Sequence, residues 1–387
     1  MTKEKRRMRL STLRIHSLRN HKETETDFSP DINLIIGNNG AGKTTILEAI
    51  SIVSLSKSFL PTPDALLIHH EEKEYSVHAK AFTDLNVPYA VTVSYSAGGR
   101  KYISSSIGDS LSPKDIIGEM PIVTLSPDYK AITFGAPDDR RRFLDALLSQ
   151  CSKRYVEEAI ALKRIIKQRN DMLNSGKKTG YLDTGMLDVW TEAFIHSATE
   201  ITARRLQFIE EFMPYFTEAY VKVSNGKEHV SLRYEAKSLM QKNVNAQTSK
   251  QEIASMFHDI AKKNQAEEIR RGTTLFGPQK DDLFIGIHNG EARDYASQGQ
   301  HKSLLIALKY AEFQYLYAQK QEKPILLYDD IFSELDETRT RNVLHTVIET
   351  GAQVFITATE EHHGMKGLPD SINKRTYTVE NGSITNT

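Results

Sequence analysis

The sequence predicts an α/β fold with an antiparallel subsheet and an inserted, mostly helical second lobe, and three short stretches carry this prediction. The first is a glycine-rich loop at residues 37–44, between an apolar strand at residues 32–36 and a helix at residues 44–53. The second, Ser-Gln-Gly-Gln at residues 297–300, opens a long helix, and the third is an apolar strand at residues 325–328 that ends in two aspartates. A strand, a glycine-rich loop and a helix in this order are typical of α/β proteins that bind nucleotides.

The N-terminal part has the pattern of several strands. Residues 10–18 alternate apolar and polar side chains, as a half-buried strand does. Residues 75–81 and 89–95 show the same alternation, and a Gly-Gly pair marks a turn before a further strand at residues 101–106. These strands account for the predicted antiparallel subsheet.

A mostly helical block begins near residue 137. Asp138 and Asp139 are suited to cap a helix at residues 140–148. Because proline removes a backbone donor, we expect an interruption at Pro214 in the long helical pattern that follows later. The other patterns of the block are helices at residues 154–173, 186–220 and 251–271 and a short strand at residues 230–234.

Strand patterns resume after this block, and we assign them to the core. They lie at residues 283–287, 324–328 and 353–357. The core is therefore split in sequence by the helical lobe. The predicted division is a first core part at residues 1–115, the helical lobe at residues 116–272 and a second core part at residues 273–387.

The composition is that of a soluble globular protein. Of the 387 residues, 39% are hydrophobic and 26% are charged. Lys plus Arg and Asp plus Glu both number 50, so binding to a polyanion needs a local basic surface. The single cysteine, Cys151, excludes an internal disulfide and a cysteine-based zinc site within one chain. The sequence lacks the apolar run of a membrane span or a secretory signal, so we expect a cytoplasmic protein without membrane contact.

The glycine-rich loop has the spacing of a phosphate-binding loop, Gly-x-x-x-x-Gly-Lys-Thr. The residues that we expect to bind nucleotide are Gly37, Asn38, Asn39, Gly40, Ala41, Gly42, Lys43, Thr44 and Thr45. Glycines let the backbone point successive N–H groups at phosphates, and the following helix adds its positive dipole end. We expect Lys43 to reach the β- and γ-phosphates of ATP and the Thr44 hydroxyl to bind Mg²⁺. The alternative is a glycine-rich turn with an incidental lysine.

The two aspartates at the end of the apolar strand complete the predicted catalytic set with Lys43. At the carboxyl edge of an α/β sheet, Asp329 would hold Mg²⁺ through water. Asp330 would orient or deprotonate the attacking water. Many proteins of this architecture have glutamate at the second position, and aspartate is one methylene shorter, so we expect slow hydrolysis. Taken alone, the pattern also describes a strand that meets a polar turn.

The segment Ser297, Gln298, Gly299 and Gln300 precedes a predicted helix at residues 301–319. Ser297 and the Gly299 backbone could donate to a γ-phosphate at the helix N-terminus. We expect this end to lie too far from the glycine-rich loop of the same chain, so the phosphate would belong to a second copy. The prediction is an ATP-dependent homodimer with ATP between the subunits. A polar helix cap is the alternative interpretation.

Together these motifs resemble the ABC-type P-loop ATPase head of SMC and RecF proteins, and the RecF family in particular. Further segments that carry the resemblance are residues 18–20 (Leu-Arg-Asn), 125–128 (Leu-Ser-Pro-Asp), 135–145, 277–283 and 296–300. Residues 331–336 continue the match after the two acids, and the resemblance implies that Asp336 belongs to a D-loop. SMC proteins insert long coiled coils between the ATPase halves, whereas this insert is short and lacks sustained heptads.

The sequence departs from the related proteins at three places. Thr357, Ala358 and Thr359 stand where transport ATPases have a switch histidine, which RecF-like proteins also lack. Residues 56–70 contain few basic side chains, and a Gln-Lys pair at residues 279–280 replaces a more usual His-Arg pair. The first departure separates the chain from transporters, and the second weakens any DNA contact in residues 56–70.

The resemblance implies binding to double-stranded DNA, particularly near junctions with single strands, and delivery of the RecO and RecR proteins to gaps. The candidate DNA contacts are Lys57, Arg140, Arg141 and Arg142, with Lys163, Arg164, Lys167 and Arg169 on the next helix. Phosphate contacts would give affinity without sequence preference and a steep salt dependence. The alternatives are an ordinary solvated helix face and pairing of the arginines with acids.

The expected protein is therefore an ATP-induced homodimer of recombinational repair and replication maintenance, with weak DNA-stimulated ATPase activity that drives release from DNA. Two other classes share part of the pattern. The ATPase subunit of a membrane transporter would carry the switch histidine and lack so long a helical lobe. A P-loop kinase for small molecules would leave the segment at residues 297–300 without a role.

Overall fold

The computed structural model describes residues 6–224, 228–288, 290–331, 340, 348–359 and 372–386. The chain divides into two compact units, one made of Met1–Tyr129 with Leu308–Thr387 and the other of Lys130–Ala307. The strands are β1 (Arg6–Leu18), β2 (His21–Asp27), β3 (Ile32–Ile36), β4 (Glu74–Thr83), β5 (Pro88–Ser96), β6 (Lys101–Ser105), β7 (Ile122–Leu125), β8 (Val230–Glu235), β9 (Asp282–Ile287), β10 (Gly290–Glu291), β11 (Glu322–Lys323), β12 (Ile325–Asp329), β13 (Val354–Ala358), β14 (Lys374–Glu380) and β15 (Ser383–Asn386). The helices are α1 (Lys43–Leu55), α2 (Pro113–Ile116), α3 (Ala131–Phe134), α4 (Pro137–Cys151), α5 (Lys153–Thr179), α6 (Thr184–Ser224), α7 (Lys250–Arg271), α8 (Ala292–Tyr295) and α9 (Gln298–Lys320).

The first unit contains the predicted antiparallel subsheet. Its strand order is β11-β1-β4-β5-β6, with β2 paired to β1, and the short β11 runs parallel to β1. Alternate residues of β4 and β5 are buried, which confirms the alternation seen in the sequence. Strand β2 was not predicted, because its residues His-Lys-Glu-Thr-Glu-Thr-Asp include no apolar side chain.

A second sheet of the first unit carries the nucleotide-binding motifs. Its order is β15-β14-β3-β13-β12-β7, and all its pairs are parallel except β14 with β15. Strand β3 therefore lies between β13 and β14, and β12 lies one strand further. Because parallel strands end at the same edge, the loop after β3 and the acids at the end of β12 emerge on one side of the sheet.

Helix α1 lies in the core of the first unit and contacts strands of both sheets. Eleven of its 13 residues are buried, including the lysine at its first position. Its apolar residues belong to one cluster with β1, β4, β5, β12 and β13. Packing on both sides holds the first turn of α1, and with it the end of the glycine-rich loop, in a fixed position.

The second unit is mostly helical, as predicted, and contains a small antiparallel sheet of order β10-β9-β8. Helix α6 has 41 residues and continues through Pro214, so the predicted interruption there is wrong. Phe212 and Phe216 are fully buried on either side of the proline, and their packing offsets the lost backbone hydrogen bond. Among the helices in the described part of the chain, none is long and apolar enough to cross a membrane.

The borders of the units differ from the predicted division. Residues 116–129, which include β7, belong to the first unit, and residues 273–307 belong to the second. Strand β9 had been assigned to the core, but it pairs with β8 in the second unit, so that assignment was wrong. An apolar pattern predicts that a segment forms a strand, whereas the choice of partner depends on contacts distant in sequence.

Candidate nucleotide-binding site and signature segment

The glycine-rich loop connects β3 to α1 as the sequence predicts. Gly40 and Gly42 have φ angles of +80° and +111°, in the region that favours glycine. A Cβ atom on Gly42 would lie 2.6 Å from His21 Nε2 and 2.7 Å from Asn20 Oδ1, so no side chain fits there. Helix α1 begins at Lys43, and its first turn contains no acidic side chain. The start of α1 therefore suits an anion.

Lys43 is buried and its ammonium group is held by the loop itself. Its Nζ donates to the carbonyl oxygens of Gly37, over 2.6 Å, and Asn38, over 3.0 Å. Burial lowers the pKa of Lys43, and the negative charges of Asp330 and Asp329 oppose this shift. The side chain thus lies folded over the loop at the place where the phosphates of a nucleotide are expected.

The hydroxyl of Thr44 lies against the carboxylate of Asp329. Thr44 Oγ1 donates to this carboxylate, at 2.9 Å from Oδ1 and 3.1 Å from Oδ2. Thr357 Oγ1 also donates to Asp329 Oδ1, over 2.7 Å. Burial raises the pKa of Asp329, and the two hydroxyl hydrogen bonds oppose the increase. Hydroxyl and carboxylate oxygens are ligands that Mg²⁺ prefers, so Thr44 and Asp329 fit a magnesium ion.

Asp330 follows the end of β12 in a constrained backbone conformation. Its φ is +46°, a region that residues other than glycine seldom adopt. The backbone N–H of Asp330 donates to Thr357 Oγ1 over 2.9 Å. Thr357 thus fixes both acids, Asp329 through its carboxylate and Asp330 through its backbone. This role of Thr357 was not predicted from the sequence, in which Thr357 stands where transport ATPases have a histidine.

The turn between β1 and β2 holds the outer side of the glycine-rich loop, which sequence reasoning also missed. Asn20 Nδ2 donates to the carbonyl oxygens of Ala41, over 2.9 Å, and Gly40, over 3.3 Å. His21 Nε2 lies 3.0 Å from the carbonyl oxygen of Gly42, which can only accept, so this nitrogen carries the proton. Burial lowers the pKa of His21, and the bond to Gly42 opposes that effect.

The same outer side receives two further contacts. Thr45, which was predicted to bind nucleotide, directs its hydroxyl towards Asn20 Oδ1 at 3.4 Å. The N–H of Gly382, in the turn between β14 and β15, donates to the carbonyl oxygen of Ala41 over 2.9 Å. The carbonyl oxygens of Gly40, Ala41 and Gly42 are thus all hydrogen-bonded. These bonds restrain the backbone conformation of the loop. The one sequence signal for this support was the Leu-Arg-Asn segment at residues 18–20, which had been noted only as a point of resemblance.

The signature segment, residues 297–300, lies in the second unit at the start of α9. The helix begins at Gln298, so Gln298, Gly299 and Gln300 form its first turn, whereas the predicted start was His301. The backbone N–H of Ser297 donates to Gln300 Oε1 over 2.7 Å. In return, the Gln300 N–H donates to Ser297 Oγ over 3.3 Å. This reciprocal pair is a capping box, so the polar cap that was weighed as an alternative is present.

Two of the arginines proposed as DNA contacts are buried and paired, so their assignment to DNA was wrong. Arg140 donates to both carboxylate oxygens of Asp282, over 2.7 and 3.0 Å, with 2% of its side chain exposed. Arg169 donates to Glu268 over 2.6 Å and to the hydroxyl of Thr274 over 2.9 Å. A buried guanidinium that already binds a carboxylate cannot reach a phosphate on the surface.

The other basic candidates lie nearer the surface. Arg141 donates to the carbonyl oxygen of Asp281 and to Asp138, and Arg142, which is more exposed, pairs with Asp138 and Asp139. The remaining candidates are exposed side chains, Lys57 after α1 and Lys163, Arg164 and Lys167 on α5. The predicted D-loop residue Asp336 lies outside the described residues.

Comparison with known proteins gives a consistent result. The family model described as RecF/RecN/SMC N terminal domain matches residues 9–385. The chain is 38% identical to the DNA replication and repair protein RecF of Chloroherpeton thalassium, over 91% of this chain and 95% of that protein. It is 33% identical to the RecF protein of Halalkalibacterium halodurans, over 97% of this chain and 99% of that protein.

Solved structures agree with these sequence relatives. A structure of the recombination mediator protein RecF with ATP, from the RecFOR pathway, superposes with a TM-score of 0.89 at 25% identity over 98% of both chains. The corresponding RecF structure with ATPrS gives a TM-score of 0.88 at 26% identity, also over 98% of both chains. An Smc head domain from Pyrococcus furiosus gives a TM-score of 0.54 at 15% identity, over 98% of this chain and 96% of that one. This last similarity concerns the fold alone.

Proposed function

We propose, from the premise that the chain belongs to the RecF family of RecF/RecN/SMC N-terminal domain proteins, that it is an ATP-dependent DNA-binding protein of recombinational repair and replication maintenance. Proteins of this family are ABC-type ATPases. The proposed cycle has ATP binding, closure of two copies on duplex DNA near a gap, and slow hydrolysis that releases the DNA. RecO and RecR are the proposed partners, since a similar RecF is named as a mediator of the RecFOR pathway.

The observation that carries the proposal is the contact of Thr44 with Asp329 beside the buried ammonium group of Lys43. These groups offer two oxygen ligands and one cation at the start of a helix, which suits a triphosphate with a divalent ion. When bound there, Mg²⁺ would neutralise charge on the phosphates. Lys43 would exchange its two loop carbonyls for phosphate oxygens. Asp330, fixed through its backbone by Thr357, would hold the attacking water and accept its proton.

Two-subunit closure is supported by the signature segment. Ser297 Oγ accepts the Gln300 N–H, so the hydroxyl hydrogen of Ser297 can donate to an acceptor beyond the helix. The first turn of α9 also presents the Gly299 backbone. A γ-phosphate held by the partner subunit's glycine-rich loop is the proposed acceptor, in keeping with anion binding at helix N-termini.

The proposed DNA contacts are the exposed cations of α5. Lys163, Arg164 and Lys167 recur at helical spacing and are exposed. Lys57 and Arg142 remain further candidates on the surface. Contacts of this kind bind the phosphate backbone without reading bases, which suits a protein that recognises gaps rather than sequences.

The test is the substitution Ser297→Arg in the full chain. Arginine would place a bulky cation where the partner's γ-phosphate is expected. We expect monomeric ATP binding to be unchanged and ATP-induced dimerisation, measured by light scattering with a nonhydrolysable analogue, to be lost. Ser249→Arg is the matched control, because Ser249 caps α7 through the same kind of reciprocal bond with Glu252.

Three results would contradict the proposal. The first is a Ser297→Arg dimer as strong as that of the unaltered protein. The second is a wild-type protein that remains monomeric with saturating magnesium-ATP and duplex DNA. The third is ATP hydrolysis that does not respond to duplex DNA but responds to a lipid-embedded permease or to small phosphate acceptors.

A further inference from the structure

A carboxylate of the second unit contacts the signature segment, and the nucleotide chemistry proposed above does not use it. Glu228 Oε1 accepts a hydrogen bond of 2.6 Å from Gln300 Nε2. Its Oε2 accepts a short hydrogen bond from the hydroxyl of Tyr220. His288 Nε2 lies 3.7 Å from Oε1. These contacts join α9, the C-terminal part of α6 and the turn after β9.

The side chain of Gln300 is used at both ends. Its Oε1 accepts from the backbone N–H of Ser297, and its Nε2 donates to Glu228. Rotating the amide by half a turn would break both bonds, because the amide nitrogen has no lone pair to offer and the oxygen has no hydrogen. Glu228 therefore selects one orientation of Gln300. That orientation fixes the backbone of Ser297.

Glu228 is itself held by a rigid neighbour. Tyr220 is fully buried and belongs to α6, which ends at Ser224. The hydrogen bonds from Tyr220 and Gln300 lower the pKa of Glu228, so its carboxylate is ionised near neutral pH. A charged acceptor makes each of these bonds stronger than one between neutral groups. The end of α6 is thus tied to the first turn of α9 through a single side chain.

We propose that Glu228 is a positioning residue that sets the signature segment for the partner's nucleotide and couples it to the end of α6. This inference rests on the proposed two-subunit site. Glu228 does not touch the nucleotide in this account and acts only through Gln300. A change in α6 that displaced Tyr220 would release Gln300, and with it the Ser297 backbone. Part of the 41-residue helix would thereby influence ATP-dependent closure.

The test is the substitution Glu228→Ala in the full chain. We expect unchanged ATP affinity of the monomer and ATP-induced dimerisation weakened by about tenfold or more, from the loss of charged hydrogen bonds. Glu210→Ala is the matched control, since Glu210, which lies on α6, likewise accepts from a glutamine amide, Gln247 Nε2 at 2.9 and 3.0 Å. The control should dimerise as the unaltered protein does.

Two further variants separate positioning from general stability. Because Glu228 acts through Gln300, adding Glu228→Ala to Gln300→Ala should weaken dimerisation no further. Glu228→Gln keeps an oxygen acceptor and should restore part of the dimerisation that Glu228→Ala loses. Additive losses in the double variant would overturn the proposal.

The proposal would equally be overturned by wild-type dimerisation of Glu228→Ala, or by a melting temperature well below that of Glu210→Ala with lost monomeric ATP binding. If Ser297→Arg blocks dimerisation while Glu228→Ala does not, the two-subunit site stands and only the positioning role fails. If neither variant has an effect, the two-subunit site itself is at fault.

Discussion

Two buried cations, one in each unit, have opposite kinds of partner. Lys43 in the first unit is bonded to two carbonyl oxygens of its own loop. Arg140 in the second unit donates to both oxygens of Asp282 and also to the carbonyl oxygen of Gly135. The carbonyl partners of Lys43 are neutral and can be replaced by an anionic ligand. The partners of Arg140 already include an anion, the carboxylate of Asp282.

The difference shows how to separate a working cation from a structural one. A buried cation that is hydrogen-bonded to neutral carbonyl oxygens can exchange them for an anionic ligand. A buried arginine in a bidentate pair with a carboxylate stabilises the fold and is not available to a ligand. Asp282 supports this view, since burial acts to raise its pKa but Arg140, together with the Leu283 N–H and Lys237, lowers it below its ordinary value. Both cations were predicted from sequence patterns to bind a ligand, and only their partners in the structure distinguish them.

The largest expected effect concerns Lys43. Lys43→Ala should weaken ATP binding by ~100-fold or more, because the phosphates lose a desolvated cation. Stability should change little, since the partners lost are two loop carbonyls. Equilibrium binding and thermal unfolding measure the two quantities. Lys101→Ala, which removes a part-buried lysine bonded to the Ser56 carbonyl oxygen and paired with Asp64, should leave ATP binding unchanged. An unaltered ATP affinity in Lys43→Ala would contradict the assignment of Lys43 as a ligand-binding cation.

Arg140 should show the reverse pattern. Arg140→Ala leaves the buried carboxylate of Asp282 with the more distant cation of Lys237, at 3.7 Å, and should lower the free energy of unfolding by about 3–5 kcal/mol. Arg142→Ala, two residues on, removes only pairs with the surface residues Asp138 and Asp139 and should cost less than about 1 kcal/mol. Urea unfolding of both variants measures the difference. Similar losses of unfolding free energy in the two variants would show that burial does not distinguish the structural roles of Arg140 and Arg142.

Asp281, next to Asp282, should give a pH-dependent effect of smaller size. Burial raises the pKa of Asp281 to about 6, with the Tyr234 hydroxyl and Arg205 opposing it. The unfolded chain loses this proton near pH 4, so between about pH 4 and 6 the folded state binds more protons. Its contribution to the free energy of unfolding should therefore decrease as pH rises through that window and stay constant above it.

Asp281→Asn tests this dependence, because asparagine cannot ionise and keeps one of the two oxygens that accept from the Tyr234 hydroxyl and the Lys237 N–H. The difference in unfolding free energy between wild type and variant, measured by urea unfolding from pH 4 to 8, should change below pH 6 and be level above it. A difference that is constant over the whole range would contradict the raised pKa.

The smallest expected effect on the fold comes from the exposed cations of α5. Replacing Lys163, Arg164 and Lys167 by alanine should leave the unfolding free energy nearly unchanged. The slope of the logarithm of DNA affinity against the logarithm of salt concentration should decrease by about 2–3, since each phosphate contact contributes roughly 0.9. Arg270 and Arg271, exposed and paired with Glu267, are the control pair. An unchanged slope would place the DNA contacts elsewhere.

Local patterns were enough to predict much of the fold and the loop. The strand at residues 32–36, the helix after it and the alternating strands β4 and β5 were predicted because each depends on periodicity within a short window. The contact between Thr44 and Asp329 joins residues 285 positions apart, yet it could be anticipated because both belong to recognised motifs. Motifs with a known chemical role can therefore predict contacts between distant segments, whereas secondary-structure propensity predicts only local structure.

Contacts without a motif were not predictable. Arg140 and Asp282 are 142 positions apart, and the triple arginine looked the same in sequence whether buried or exposed. The partner of β9 was likewise set by packing within the second unit. Asn20, Thr357 and Glu228 act through hydrogen bonds to carbonyls, carboxylates or amides of other segments. Ordinary polar residues of this kind carry no local sign of such roles.

The position of β3 in its sheet has a consequence for biosynthesis. Both of its neighbours, β13 and β14, are translated long after it, and Asn33 contacts Val354 across 321 positions. The chain emerges from the ribosome N-terminus first, so both edges of β3 lack their partner strands while the whole second unit is synthesised. The turn at Gly382, which holds the loop through Ala41, is translated after both of these strands. We expect ribosome-stalled chains that end before residue 374 to fail to retain ATP, so that a newly made subunit gains its nucleotide only after β14 has been translated.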